Sequence, residues 1–398
     1  MDASRAPLLT PSADKPLLFD LTRLIWRRWI GRKPTGIDRA CLAYLDHFAG
    51  RSMAVLQHPR LRHIFSLAAS VRLFALLRDP PPNFRTRLVH LLVRHGFRSA
   101  APASGLLYLN IGHTGLDAPG YANWVDATGV RPVYLVHDLI PISHPEYCRA
   151  GERERHSTRM RVMLETAAGI VTNSRATKGM LETFARHEGL TSPPLLASLL
   201  GTTPLALGNR PVVAPDRPTF VVLGTIEGRK NHLFLLNLWT RLVERLGDAA
   251  PRLLVIGQRG WEAEQVFDLL DRSDSLRGHV VEVRHCSDEQ LAVHLCAARA
   301  LLFPSLAEGF GLPLVEALSL GTPVIASDLA VFREIAGDIP LYLSPVDGLG
   351  WETSILDYAR SDSDARTSQV ERIAAYRPQG WDDHFRAVDA WLAALGHD

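Results

Sequence analysis

Nine short apolar runs alternating with stretches of helical periodicity constrain the fold of this chain more than any other feature. Four of them (17–20, 106–111, 133–136 and 169–172) precede a stretch at 204–218 rich in proline, glycine and short polar residues, and five (219–223, 253–256, 280–283, 300–303 and 324–326) follow it. Short runs without polar alternation suit strands buried on both faces, and parallel strands need a long crossover, usually a helix. The expectation is therefore α/β, with parallel sheets in two domains joined near 204–218. A chain of 398 residues also exceeds what one core normally supports. The boundaries drawn are 1–210, 211–375 and a closing segment 376–398, where 381–395 reads as one amphipathic helix.

In open α/β sheets ligands collect at the carboxyl ends of strands, and the polar motifs fall there. After the 219–223 run come Gly224, Thr225, Ile226, Glu227, Gly228, Arg229, Lys230 and Asn231. Two cations at a turn before a helix suit a phosphate, although a lone Arg-Lys is more often a solvated turn. After 300–303 come Glu308, Gly309, Phe310, Gly311 and Leu312, then an apolar helical run holding Glu316. The spacing places Glu308 at the end of a loop and Glu316 about two turns into the helix. Glycines let backbone approach a ligand, a helix N-terminus offers N–H groups to phosphate, and the glutamates accept from hydroxyls. Two ordinary glutamates at a helix terminus are the plain alternative. After 133–136 stand His137 and Asp138; the histidine can bond a sugar hydroxyl or shield positive charge through its carbonyl, with Asp138 orienting it, or the two form a structural pair. Thr35, Gly36 and Arg39 open an apolar helix and suit either phosphate or acceptor contact or simple capping. Ser174, after 169–172, is a weaker candidate, and His144 and His156 receive no assignment.

The Glu308–Glu316 spacing resembles the E-x7-E motif of retaining glycosyltransferases of the GT-B fold, family 4. Gly224–Asn231 is similar to that family's G-T-x-E-x-R-K-N turn, His137-Asp138-Leu139-Ile140-Pro141 to its H-D-[LI]-x-P stretch, and Gly321-Thr322-Pro323-Val324 to the strand after the E-x7-E helix. The likeness covers most of 130–340. It implies two Rossmann-like domains facing each other across a central cleft, the first for the acceptor and the second for a nucleoside diphosphate sugar, with the last helix crossing back. By the same resemblance Glu316 accepts from ribose hydroxyls and Glu308 contacts the donor sugar. The N–H groups near Phe310, Gly311 and Leu312 help hold sugar and phosphate. Two positions depart from the pattern: Thr225 stands where arginine is usual, and Gly36 where a double glycine is common. The G-T-I-E-G-R-K-N variant looks like that of bacterial polysaccharide and lipopolysaccharide mannosyltransferases. GDP-mannose is accordingly the first expected donor, ahead of UDP-glucose or a deoxysugar donor, and a lipid-linked saccharide the expected acceptor.

A net charge of +2 gives no global pull toward nucleic acid, and none is expected as a partner. Four cysteines without C-x-x-C spacing indicate reduced thiols, no zinc site and a cytoplasmic protein. Asp362-Ser363-Asp364 lacks a preceding apolar strand, so it reads as an exposed loop and no metal or other cofactor is expected. The start, Met1 to Pro7, shows no apolar leader core. Nine arginines against the single acid Asp79 in 51–98, interleaved with apolar residues, suit peripheral contact with the inner face of the cytoplasmic membrane, or else a solvated helix pair. Two rival functions stay open: a non-catalytic nucleotide-sugar-binding scaffold, and an epimerase or phosphorylase on the same fold.

Overall fold

The computed structural model describes residues 16–31, 35–58, 61–95 and 103–396; the chain start, Arg60 and Arg98 lie outside the described residues. Among the described residues thirteen strands form two sheets. The first holds β1 (Leu17–Asp20), β2 (Ser52–His58), β3 (Leu61–Ile64), β4 (Leu107–Asn110), β5 (Arg131–Val136), β6 (Gly169–Thr172) and β7 (Leu195–Ala197), in the order β3-β2-β1-β4-β5-β6-β7. The second holds β8 (Thr219–Leu223), β9 (Arg252–Ile256), β10 (Val280–Val283), β11 (Ala300–Phe303), β12 (Val324–Ser327) and β13 (Leu341–Leu343), in the order β10-β9-β8-β11-β12-β13. Every pairing is parallel except β2 with β3. This is the two-domain GT-B architecture that the apolar runs and the resemblance imply.

All nine expected strands form, within a residue or two at their ends. Four more were not foreseen. β2 and β3 fall inside the basic 51–98 region read as amphipathic, where a hairpin at the sheet edge mixes Gln57, His58, Arg62 and His63 with apolar residues. β7 and β13 are three-residue edge strands whose side chains are only half-buried, so they carry little pattern. The helices Leu67–Arg78 and Phe84–His95 do form a surface pair in that basic region.

Alternation along each strand feeds two cores per sheet. Leu17 and Phe19 join Tyr44, Phe48, Leu73 and Phe74 on one face of the first sheet, while Leu18 joins Tyr108, Tyr134 and Met160 on the other. In the second sheet Phe220 and Val222 pack on Leu235 and Trp239, and Val221 on Leu314 and Leu318. The Trp381–Leu395 helix returns to the first sheet: its His384 ring bonds Tyr44 Oη at 2.8 Å, and Trp391 abuts Gly169 so closely that a Cβ there would lie 2.6 Å away.

Strand order reverses beside β1 and β4 in the first sheet and beside β8 and β11 in the second. Such switch points leave a crevice at the carboxyl ends of the strands, where loops diverge to opposite faces. The two crevices meet: Phe310 and Val315 of the second domain are buried with the first domain's core residues.

Candidate functional site

The second-domain wall is tied together by its own backbone. Gly224 ends β8 at φ 140°, a conformation that requires glycine, and a Cβ on Gly257 would lie 1.9 Å from the Gly224 carbonyl. Asn231, itself left-handed at φ 60°, donates from Nδ2 to the carbonyls of Pro304 (3.2 Å) and Pro345 (3.0 Å). Leu306 N–H donates to the Arg229 carbonyl at 2.8 Å. The turn after β8 and the loop after β11 are thus one unit.

On that unit the cations and carboxylates pair. Glu308 Oε1 accepts from Lys230 Nζ at 2.5 Å and from Ser305 Oγ at 2.7 Å, and Oε2 accepts from Arg229 Nη1 at 2.8 Å. Arg229 also reaches Glu227 at 2.6 Å. Burial would push the Glu308 carboxyl up, but Arg229 and then Lys230 outweigh it and hold it down at about 2. Burial lowers the Lys230 ammonium despite Glu308, and raises Glu227 despite Arg229. Two acids therefore face two cations in a largely buried cluster. An ionised carboxylate has about four acceptor positions. With three donors already bound, Glu308 keeps one on Oε2 for a further hydroxyl.

At Gly309 the walls lie too close for a side chain. A Cβ there would sit 2.5 Å from the His137 carbonyl and 2.7 Å from Asp138 Cβ. Gly311, at φ 132°, ends the loop with its own Cβ position 2.8 Å from the Phe332 ring, and Phe310 between them is buried. The helix begins only at Leu312, so Glu316 lies a little over one turn in, not two, because Gly309 and Gly311 stay outside the helix. Thr225 follows Gly224 with its methyl 2.7 Å from where a Gly260 Cβ would be, packing the turn and contributing no charge in place of the usual arginine.

The first-domain wall offers mostly backbone and neutral rings. His137 is buried, its Nε2 bonds the Ile111 carbonyl at 2.8 Å, and burial pulls the imidazole down to about 4. Asp138 does not orient it, contrary to expectation: its Oδ1 accepts from Ile140 N–H at 3.1 Å and starts the next turn. The ring is set by Ile111, and the His137 carbonyl by Asn173 Nδ2 at 2.8 Å. His113 and His156, missed or unassigned from sequence, complete a cluster: ring centres lie 5.1 Å (His113–His137) and 6.1 Å (His113–His156) apart. His113 adopts φ 57° and bonds the Leu135 carbonyl at 2.6 Å, and burial keeps it well below the ordinary imidazole range. A left-handed histidine is uncommon enough that sequence gives no sign of it.

Of the loop candidates, Thr35 caps its helix: its N–H and hydroxyl both donate to Asp38 Oδ2 (2.7 and 2.8 Å). Arg23 and Arg27 hold Asp38 in turn, at 2.7 and 2.9 Å. Gly36 faces Leu312, with its Cβ position 3.2 Å from Cδ1, and Arg39 Nη1 reaches Glu316 Oε1 at 2.6 Å from the opposite domain. Ser174 is fully buried and accepts from Thr177 N–H at 3.0 Å as a helix cap. Beside it the amides of Arg175 and Ala176 are taken by Glu334 of the second domain, at 2.8 and 3.1 Å. Glu334 was not foreseen, nor was the cation–π contact of Arg149 on Trp261, 4.7 Å from the ring centre, which also spans the cleft.

Asp362 is gripped by Arg360 at 2.9 and 2.8 Å, and Ser363 caps the Asp364–Ile373 helix. Among the described residues no group of three or more His, Cys, Asp or Glu is placed to hold a metal ion, and no helix is long and apolar enough to cross a membrane.

Residues 209–339 match the family model described as glycosyl transferases group 1. The serotype-specific mannosyltransferase WbdA of Escherichia coli is 29% identical over 234 residues, which are 55% of this chain and 28% of WbdA. The chain thus spans little more than a quarter of that relative. The O-antigen chain mannosyltransferase B of Escherichia coli is 28% identical over 268 residues, covering 64% of this chain and 68% of that protein. Among solved structures, Anabaena Alr3699/HepE in complex with UDP-glucose superposes with a TM-score of 0.64 at 14% identity, over 96% of this chain and 100% of that one.

Proposed function

We propose that this chain, whose residues 209–339 belong to the glycosyl transferases group 1 family, is a retaining glycosyltransferase moving a hexose from a nucleoside diphosphate sugar to a saccharide acceptor. The observation that carries the reading is the Arg229–Lys230–Glu308 cluster at the β8/β11 switch point. It is a pre-built, water-poor pair of cations, the environment in which charge developing on a leaving diphosphate is stabilised most.

In this reading Arg229 and Lys230 face the diphosphate. Backbone N–H groups at Gly311 and Leu312 and the remaining acceptor position of Glu308 hold phosphate and sugar, and Glu316 accepts from the ribose. As the bond from the sugar's anomeric carbon to the phosphate oxygen breaks, the electron pair leaves with the diphosphate. The acceptor oxygen attacks from the same face, and its proton passes to the departing phosphate. The His137 carbonyl and neutral ring lie on the opposite wall, against Gly309, where they suit the positive charge of the sugar ring. No carboxylate stands out as a nucleophile from that wall: Asp138 bonds its own turn.

The mannosyltransferase relatives favour mannose, and GDP-mannose as donor, for bacterial polysaccharide or lipopolysaccharide synthesis. A lipid-linked acceptor fits a protein that touches the inner face of the cytoplasmic membrane. Of the basic region's arginines, Arg51, Arg62, Arg78 and Arg85 are spent on protein partners. Arg87 and Arg94 stay exposed, as does Arg72 with its Nη1 3.2 Å from His95 Nε2, beside exposed Val71, Val89 and Val93 on the two surface helices, the composition of an interfacial patch.

The test is transfer from GDP-mannose, UDP-glucose and a dTDP-deoxysugar to lipid-linked saccharide, with the anomeric configuration of the product read by NMR. Retention with GDP-mannose is expected. Inversion would overturn the mechanism, product without acceptor or with a phosphate requirement would favour an epimerase or phosphorylase, and undiminished glycan synthesis with Lys230→Ala would favour a scaffold.

A further inference from the structure

Glu316 is almost fully buried, and the group that meets its charge comes from the other domain. Arg39 Nη1 lies 2.6 Å from Glu316 Oε1, while its Nη2 lies 3.6 Å from Asp288 at the start of the Asp288–Ala297 helix. The contact is two-pointed. Gly36 and Arg39 are three apart on the Gly36–Phe48 helix, and Leu312 and Glu316 four apart on the Leu312–Ser319 helix, so each pair shares one face. Gly36 meets Leu312 as Arg39 meets Glu316. The Arg39 turn is itself fixed, since Asp38 beside it is clamped by Thr35, Arg23 and Arg27. Such bracing is more than an incidental surface ion pair needs.

We propose that Arg39 is a positioning residue for the nucleotide: reaching across the cleft, it orients the Glu316 carboxylate, so that the ribose-binding group is complete only when the two domains are closed. The proposal rests on the assignment of Glu316 to the ribose. A carboxylate can accept from both hydroxyls of a ribose diol, whereas a protonated carboxyl loses that capacity on the oxygen carrying the proton. With Oε1 steadied by Arg39, Oε2 and the remaining acceptor position of Oε1 are directed at the diol. The arginine thereby makes donor affinity depend on closure, and closure in turn depends on the donor, because the linkage is reciprocal.

The groups facing Glu316 are Arg39 on one helix and Asp288 on another. Burial raises the Glu316 carboxyl, Asp288 raises it further, and Arg39 alone lowers it. Removing the arginine leaves only influences that favour the protonated form. The acid limb of nucleotide affinity then moves to higher pH.

The experiment is calorimetric titration of GDP, with UDP as comparator, into wild type, Arg39→Gln, Arg39→Lys and Lys230→Ala between pH 5.5 and 8.5. Arg39→Gln is expected to weaken binding of the preferred nucleotide by about tenfold at the acid end of the range and by distinctly less at pH 8.5. Arg39→Lys should recover most of the loss. A neutral variant that binds like wild type at every pH, or more tightly because Arg39 competes with the ribose, would overturn the proposal. If Lys230→Ala weakens binding while Arg39→Gln does not, the donor site stands and the positioning role falls. A wild-type protein that binds neither nucleotide overturns both.

Discussion

The two walls of the cleft are built from different materials. On the second domain the functional groups are side chains close together in the chain and paired with one another: Arg229 and Lys230 on one turn, Ser305 and Glu308 on the next. On the first domain, Arg39 apart, they are carbonyls, capped helix ends and neutral imidazoles held by backbone, as with His137 on Ile111 and His113 on Leu135. A wall of paired charges can act on a phosphate by itself. A wall of dipoles acts only when brought close, and Gly309 against His137 is where that happens.

The sharpest break in the comparison is Lys230→Ala. It removes one of the two cations on Glu308, and turnover should fall about 10²- to 10³-fold, the scale of losing one preorganised charge-stabilising group. Steady-state kinetics with the preferred donor checks this, and a loss of under threefold would mean the charged wall is not the catalytic one. Next comes Gly309→Ala, which leaves every charge in place but puts a methyl 2.5 Å from the His137 carbonyl. The walls must part, and a displacement near 1 Å is worth about 100-fold in turnover. Nucleotide affinity should change much less, so kcat and the calorimetric Kd separate the two walls. Glu334→Gln is milder. It weakens a carboxylate cap on the Arg175–Glu188 helix from across the cleft, an interaction worth about 1 kcal/mol, so KM should rise about fivefold with Tm nearly constant.

The smallest effect is a pH dependence. The His137 ring has a folded value near 4 against 6.5 for the ordinary imidazole, so between those values the unfolded chain binds the extra proton. Stability is then fully present above about pH 6.5 and is lost as pH falls toward 4. Glu308 follows the same sign at lower pH, its folded value of about 2 lying below the ordinary 4.5, so its contribution is complete above pH 4.5. Between pH 7.5 and 5 Glu308 is silent, while the His137 ring of the unfolded chain titrates. His232, buried in the second domain and pulled down to about 3, adds to the same acid loss, so the diagnostic variant is His137→Gln. It should flatten the fall of Tm across that range, and an unchanged slope would place the proton uptake elsewhere.

The same difference in materials explains how much the sequence revealed. Buried parallel strands announce themselves as apolar runs, and the second wall's glycines, cations and glutamates occur as contiguous motifs, so both were legible. The edge strands β7 and β13 were not, because half-buried three-residue segments carry no periodicity. Nor was the Arg39–Glu316 pair, whose members lie 277 positions apart, or the cap that Glu334 supplies to another domain. Ser174 drew notice as a polar residue at a strand end, yet its hydroxyl is used by its own helix. A carbonyl such as that of His137 has no residue type to signal it.

In the proposed function the Arg229–Lys230–Glu308 cluster binds the diphosphate of one sugar donor. Calorimetric titration of GDP, UDP and dTDP into the wild type and Lys230→Ala, with EDTA throughout, tests it most directly. Tight binding of one nucleotide, GDP first, that is lost in the variant is the predicted result. Failure of all three to bind, or binding that Lys230→Ala leaves intact, would contradict it.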